Sequence, residues 1–418
     1  MSGHPAATLG LDAARALDPA SFAIGGVTPR LAVRPTTREE LSEILGACSR
    51  DRLAAVPWGG GTSLALMAPP ARYDVAIQMS AFDRIVDYDP EDMTITAECG
   101  ATLESLGAAL AARGQELPIE GGTVSRATLG GALAANGSGA RRLRFGSPRD
   151  RVLGASFALS DGTIARTGGR VVKNVAGYGI HRLLCGSRGA LAALVQASLK
   201  LVPAPEARRA LLYDATARDL RDESRWTFLP RLEPAAVVVL GRDAARATGA
   251  GLGTAFTVVI ALEEDRPWLE QQSIQVRSAL GAAREVLGGA AVPQLLQAIT
   301  DLVEARPAEA ASRALTLVSP WNSPAALGVM LDDPASPGLV HHSLAGRLHL
   351  ELGTTDNASS AVQRLAGSGF TVIEYRGGTA PESALPPLRA VLALRDRIRR
   401  ELDPGAVWAY GEHWQRAI

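Results

Sequence analysis

Apolar positions in the first half of the chain switch repeatedly between strand-like runs and helix-like spacing. Leu31 to Arg34 is a short apolar run stopped by Pro35, and Thr37-Arg38-Glu39-Glu40 reads as a capping box ahead of Leu41, Ile44, Leu45 and Cys48 on one helical face. Ala54 to Pro57 predicts a second strand, which empties into Trp58-Gly59-Gly60-Gly61-Thr62-Ser63, and Val75 to Gln78 closes the unit as a third strand. Strand, helix, strand, loop in that order makes a small α/β unit with its loop at a strand's carboxyl end.

Further on, Arg84 to Tyr88 and Met93 to Glu98 predict a hairpin, because Asp89-Pro90-Glu91-Asp92 between them is turn chemistry. Thr102 caps a helix reaching about Ala112 and ended by Gly114. Thr128 is the N-cap of Leu129 to Ala135, whose two first-turn glycines each weaken a helix by about 1 kcal/mol relative to alanine. Either a ligand or another backbone must come close there. Val152 to Leu159 and Thr163 to Arg166 flank the hairpin signal Asp161-Gly162, and Leu194 to Val202 reads as a long strand. Pro203-Ala204-Pro205 marks the domain boundary.

The second half carries strand candidates at Ala235 to Leu240, Ala255 to Leu262, Leu315 to Val318, Arg347 to Leu352 and Thr371 to Glu374. Helical segments at Trp268 to Leu280 and Ser359 to Ala366 lie among them, and Leu385 to Leu402 is a final amphipathic helix.

Composition narrows the function. The 418 residues suffice for two or three cores, and 47% apolar residues exclude a disordered chain. Basic and acidic residues balance at 43 each, so nothing points to nucleic acid or an anionic membrane surface. The start of the chain has neither the basic nor the apolar part of a leader, and no run reaches bilayer length, so a cytoplasmic protein is expected. Cys48, Cys99 and Cys185 lack metal-ligand spacing and suit buried free thiols. Only two of the basic residues are lysines, Lys173 and Lys200, and Lys173 stands beside Asn174, one of only four asparagines.

Three successive glycines followed by two hydroxyl side chains let backbone N–H groups converge on an anion, with Thr62 and Ser63 adding donors. That chemistry suits a phosphate or pyrophosphate. No lysine follows as in a nucleoside triphosphatase loop. A second cluster, Gly249-Ala250-Gly251-Leu252-Gly253, follows a helix-like segment and precedes a strand-like one, the reverse of a dinucleotide fingerprint, and reads as a turn.

The ordered set Pro57 to Ser63, Thr128-Leu129-Gly130-Gly131 with Asn136 and Gly139, Arg144 to Asp150, Gly168 to Tyr178 and Gly186 to Leu191 resembles the flavin-binding half of the vanillyl-alcohol-oxidase, or PCMH-type, FAD enzymes. Within that family it resembles the FAD-binding E subunits of bacterial glycolate oxidases. The resemblance implies an α+β fold: a PCMH-type FAD-binding domain over residues 1–205, with subdomains at about 25–80 and 81–205. An α+β cap over 206–380 and a C-terminal helix within 381–418 that returns to the FAD domain would follow. Gly59, Gly60, Gly61, Thr62 and Ser63 would hold the FAD pyrophosphate, while Gly122, Thr128, Gly130, Gly131, Asn136 and Gly139 would line the ribityl and flavin side. Pro57 and Gly189 join them as cofactor-binding positions. Relatives that bind flavin covalently place a histidine or cysteine near the first loop or its partner; the loop has neither, so the FAD is expected to be non-covalent. Gly179, after Tyr178, and Arg188-Gly189-Ala190 depart from the family's usual pattern.

The resemblance further implies oxidation of glycolate to glyoxylate within a complex, alongside a catalytic flavoprotein D-like subunit and an iron–sulfur F-like subunit. Since the three cysteines form no cluster, the partner must hold the iron–sulfur centres, and any membrane association would come through partners. His342 and His349, with Glu412-His413 near the end, repeat the spacing of a metal-binding set in catalytic relatives. Ser343 to Leu348 lacks the acid and asparagine of those relatives, and Glu412 follows Asp403-Pro404 where theirs precedes it, so no metal site is expected and no catalytic residue is assigned. Two other readings stay open: an independent FAD dehydrogenase of another 2-hydroxy acid, with His342, His349 and an arginine clamping the carboxylate, and a non-catalytic scaffold that keeps the flavin fold.

Overall fold

The computed structural model describes residues 16–63, 69–137, 139–170, 177–251, 255–304, 313–318, 331, 339–343, 345–352, 371–376 and 389–409. The chain divides into two compact units: Met1–Gly137, Ser147–Ala204 and Pro387–Arg416 form one, and Ser138–Gly146, Pro205–Pro386 and Ala417–Ile418 the other.

Among the described residues the first unit contains a four-stranded sheet, a five-stranded sheet and a two-stranded pair. Strands β1 (Ala16–Leu17), β2 (Leu31–Val33), β3 (Ala55–Trp58) and β4 (Val75–Gln78) form a sheet in the order β1-β2-β4-β3, with β2, β4 and β3 parallel. Between β2 and β3 runs the helix Arg38–Arg50, whose Leu41, Ile44, Leu45 and Cys48 pack on Val33, Val75 and Ile77. Its cap differs from the expected box by one residue. Thr37 Oγ1 accepts from the Glu40 N–H at 3.1 Å, but the Glu40 carboxylate accepts from the Thr36 N–H at 2.7 Å rather than from Thr37.

Strands β5 (Ile85–Asp89), β6 (Thr94–Glu98), β8 (Val152–Ala158), β9 (Ile164–Gly168) and β10 (Ala193–Lys200) make an antiparallel sheet in the order β5-β6-β10-β8-β9, while β7 (Gln115–Glu116) pairs with β11 (Val202–Pro203). Both predicted hairpins are present, β5 with β6 and β8 with β9. The helices Leu103–Ala111 and Leu129–Ala135 bury Leu106, Leu110, Leu129 and Leu133 among Ile95, Phe157, Leu194 and Leu199.

Chain from the far end completes this unit. The helix Arg389–Leu402 lays Ile398 and Leu402 on the core of the five-stranded sheet. The Asp403 carboxylate then accepts from the N–H groups of Val407 at 2.8 Å and Trp408 at 3.1 Å, a cap that turns the chain alongside β3. There Ala55 N–H donates to Val407 O at 2.6 Å and Ala409 N–H donates to Ala55 O at 2.8 Å, which covers the open edge of β3.

In the second unit, β12 (Ala207–Ala215), β13 (Ala236–Gly241), β14 (Phe256–Glu264), β15 (Glu285–Gly288), β16 (Arg313–Val318), β17 (Val340–His342), β18 (Arg347–Leu352) and β19 (Thr371–Arg376) form a sheet in the order β15-β12-β14-β13-β17-β18-β16-β19. One face packs Leu269 and Val276 of the helix Arg266–Leu280, and the other packs the helices Arg242–Ala247 and Ala291–Glu304. Strand β12 was not expected, because Arg208 and Arg209 interrupt its apolar run. Its nine residues nevertheless pair with β14, and the two arginines are neutralised by Glu263 and Glu270. The expected helix at Ser359 to Ala366 lies outside the described residues.

Residues 138–146 fall within the first domain by sequence but cluster with the second unit. The reason is electrostatic. Glu263 is 2% exposed, and Arg141 donates to its carboxylate at 2.8 and 3.1 Å while Arg208 donates at 3.3 Å. Arg144 adds an ion pair to Glu264 at 2.6 Å and a bond to the Glu263 carbonyl at 2.5 Å. Burying a carboxylate this deeply is costly unless it is hydrogen-bonded and ion-paired in this way.

Strands β17 and β18 bring the histidine pair together: Val340 faces His349, His342 faces Arg347, and the His342 and His349 rings meet edge-on at 5.5 Å. His341 and His342 are fully buried. Desolvation, joined by His342 for His341 and by Arg347 and Arg142 for His342, pushes both imidazoles down to about 3.

Two outcomes follow from this packing. Trp408 is 2% exposed and fills the core beside β3, so Trp408→Ala should destabilise the first unit by about 3–5 kcal/mol in chemical denaturation, whereas Leu394→Ala on the exposed face of the same returning segment should change little. In the unfolded chain His341 and His342 take up protons near pH 6.5, but in the folded chain they do not until about pH 3. The unfolded state therefore binds more protons across that window, and stability falls as pH drops through it. Urea midpoints at pH 7 and pH 5 should show this loss, and His342→Gln should shrink it.

Candidate functional site

The site is built where β3 ends. Trp58 closes the strand with its ring edge-on to Phe22 at 5.1 Å, and the chain enters Gly59-Gly60-Gly61. Gly60 packs directly against the loop 123–128: a Cβ there would lie 1.6 Å from the Arg126 carbonyl oxygen, closer than any side chain can tolerate. From the same loop Arg126 donates to the Gly60 carbonyl at 3.1 Å, so two backbones are held face to face.

Thr128 ends that loop and caps the helix Leu129–Ala135, its hydroxyl accepting from the Gly131 N–H at 3.2 Å. Gly130 donates its N–H to the Cys99 carbonyl at 2.7 Å, and a Cβ on Gly130 would sit 2.9 Å from both Cys99 Cβ and that carbonyl oxygen. This decides between the two sequence readings of the first-turn glycine: backbone packing requires it, and the helix is thereby drawn into the wall of a groove.

At the other end of the helix, Gly186 and Arg188 donate N–H groups to the carbonyls of Leu133 at 3.1 Å and Ala134 at 2.9 Å. A Cβ on Gly189 would lie 2.9 Å from the Pro57 ring. The seven-residue helix is thus held at both ends and spans about 10 Å along the groove.

The groove is lined by Pro57, Gly59, Gly60, Gly61, Thr62, Ser63, Thr128, Gly130, Gly131 and Gly189, all singled out from sequence. Gly122, Asn136 and Gly139 do not line it. Gly122 is buried beside the loop, Gly139 clusters with the second unit, and Asn136 caps the helix at φ 47° while accepting from the Arg149 N–H at 3.0 Å. Sequence reasoning missed Met79, Cys99, Ala134, Ala135, Arg188, Ala192 and Leu194. Most are small or apolar residues at strand and helix ends, which carry no chemical signal by themselves. The segment 171–176, including Lys173 and Asn174, lies outside the described residues.

Chemically the groove has two characters. Met79, Cys99, Ala192 and Leu194 offer an apolar wall for a flat ring, while the glycine loop, Thr62 and Ser63 offer amide and hydroxyl donors for an anion. Cys99 brings a thiol into the wall although neither loop contains one. Burial first, then Cys185 and Glu98, push that thiol far above its ordinary value, so it stays protonated and poorly nucleophilic.

The remaining candidates stand elsewhere. His181 is buried, with Thr167 Oγ1 at 3.2 Å from its Nδ1, and burial and Arg182 lower its pKa, which suits a packed neutral imidazole. Tyr178 is 88% exposed, His342 and His349 belong to the second unit, and Glu412 and His413 lie outside the described residues. Among the described residues, no group of three His, Cys, Asp or Glu side chains could hold a metal ion, and no helix is long and apolar enough to cross a membrane.

Residues 29–168 match the family model for an FAD binding domain. Among curated relatives, glycolate oxidase subunit GlcD of Bacillus subtilis is 32% identical over 250 residues, covering 57% of this chain and 52% of the relative. Glycolate oxidase subunit GlcE of Escherichia coli is 40% identical over 148 residues, 35% of this chain and 42% of the relative. A probable mitochondrial D-lactate dehydrogenase of Danio rerio is 34% identical over 181 residues, 43% of this chain and 36% of the relative. The matched stretches thus span about half or less of these relatives' lengths. Among solved structures, p-cresol methylhydroxylase with substrate bound superposes with a TM-score of 0.68 at 14% identity, covering 92% of this chain and 88% of that one. Alkyldihydroxyacetonephosphate synthase gives 0.66 at 16% identity, covering 92% and 76%. The fold is the PCMH-type α+β fold, and residues 29–168 carry an FAD-binding domain.

Proposed function

We propose that this chain binds FAD non-covalently in the glycine-lined groove and serves as the FAD-binding subunit of an oxidoreductase complex that oxidises glycolate to glyoxylate. The observation that carries the first part is the groove itself: an apolar wall facing a loop of donors, on a segment that matches an FAD binding domain. The Gly59 to Ser63 loop would hold the pyrophosphate through main-chain amides and two hydroxyls, and residues of the helix Leu129–Ala135 would line the cofactor's groove. Bound FAD supplies the two-electron acceptor that oxidation of a 2-hydroxy acid requires. Burial keeps the Cys99 thiol protonated and poorly nucleophilic, which supports non-covalent binding.

Support for the second part comes from relatives named as two different subunits of glycolate oxidase. Cys48, Cys99 and Cys185 are buried free thiols, too few for a four-cysteine cluster, so iron–sulfur centres belong to a partner. Relatives named D-lactate and D-2-hydroxyglutarate dehydrogenases favour a second reading, an independent dehydrogenase of another 2-hydroxy acid.

Gly60→Ala should separate the two loops and lower FAD affinity at least tenfold in a fluorescence titration, while the second unit keeps its unfolding midpoint; wild-type affinity in this variant would remove the loop from the site. Glycolate-dependent dye reduction should be absent from the purified chain and appear when a D-like flavoprotein and an iron–sulfur protein are added. Turnover of D-lactate or D-2-hydroxyglutarate by the chain alone would favour the independent enzyme instead.

A further inference from the structure

Taking the groove as the FAD site, we infer that Arg188 is the counter-charge of the cofactor's pyrophosphate and a further FAD-binding residue. Among the described residues that line the groove, Arg188 is the one with a charged side chain. A pyrophosphate brings negative charge into a wall otherwise made of glycine, alanine, hydroxyl and apolar groups. Amide dipoles offset part of that charge, and a guanidinium, with its planar fork of donors, suits two phosphate oxygens at once.

The backbone at this position argues for the side chain. Arg188 has φ 53°, a left-handed conformation that disfavours any residue with a Cβ, and it sits in a turn where Gly186 at 87° and Gly189 at 78° already use glycine for the same purpose. A third glycine would remove the strain, yet an arginine stands there. Strain kept where a ligand groove is lined points to a role for the side chain.

The turn is also rigidly seated. Arg188 donates its N–H to Ala134 O at 2.9 Å, Ala190 donates to Ser187 O at 2.8 Å, and Gly189 packs on Pro57. The Arg188 Cα is therefore fixed to the same helix that floors the groove. Arg126, the other arginine near the glycine loop, does not line the groove, and its guanidinium donates to the Gly60 carbonyl.

The test uses the full chain with Arg188→Lys, Arg188→Ala and Arg188→Gly. Titrations with FAD are followed by flavin fluorescence, with ADP as a competitor that carries the pyrophosphate without the flavin and riboflavin as one that carries the flavin without the phosphates. In Arg188→Ala, FAD affinity and the competition by ADP should each fall at least tenfold, riboflavin competition should stay within twofold, and FAD affinity should depend less steeply on salt. Arg188→Lys should recover part of the loss. Arg188→Gly guards against a folding artefact, because glycine accepts φ 53° without strain: its cofactor-free unfolding temperature should equal or exceed the wild type's, and it should still lose ADP competition. Unchanged ADP competition in Arg188→Gly, a riboflavin loss as large as the ADP loss, or a wild type with which ADP does not compete would each overturn the inference. A wild type that binds no FAD at all would instead overturn the reading of the groove on which it rests.

Discussion

The structure turns on one close approach, the contact of Gly60 with the carbonyl of Arg126. Two main chains far apart in sequence meet there at a distance that leaves no room for a Cβ, and the Arg126 guanidinium donates a hydrogen bond to Gly60 across the contact. Because the β3 loop and the loop before Thr128 are held this tightly, the helix Leu129–Ala135 starts at a defined place beside the glycines. Its other end is fixed by the turn through Gly186 and Arg188. The groove is the space these three backbone contacts enclose. Its shape is set by main chain, so it depends on glycine positions more than on the larger side chains that line it.

Much of this was legible because glycine, proline and capping residues act locally. Thr37, Thr102 and Thr128 each cap the helix expected of them, and Asp161-Gly162 makes its hairpin with Gly162 at φ 92°. Pro57, the triple glycine, Thr62, Ser63, Thr128, Gly130, Gly131 and Gly189 converge on one groove although they are far apart in sequence. Local sequence leaves ligand approach and tight packing equally open at Gly130; the fold packs it against Cys99, with the groove as the consequence.

What was not legible depended on partners distant in the chain. Strand β12 hid behind Arg208 and Arg209, which look like surface residues until Glu263 and Glu270 are placed beside them. The same buried Glu263 draws residues 138–146 into the second unit through Arg141, an assignment no local pattern could supply. Cys99 reaches the groove because of where the backbone goes, and nothing in its immediate neighbours announces it; Arg188 stands within the Gly186 to Leu191 stretch, where only its neighbour Gly189 was singled out. The histidine pair has the spacing of a metal site, yet it lies beside Arg347 and close to Arg142, whose charges oppose a bound cation.

The most direct measurement is the visible absorption spectrum of the purified chain after incubation with excess FAD and removal of free cofactor by gel filtration. A flavin spectrum that co-elutes with the protein at one FAD per chain, and that is released intact when the protein is denatured, is the predicted result. A folded chain that elutes colourless, or a flavin that stays attached after denaturation, would contradict it.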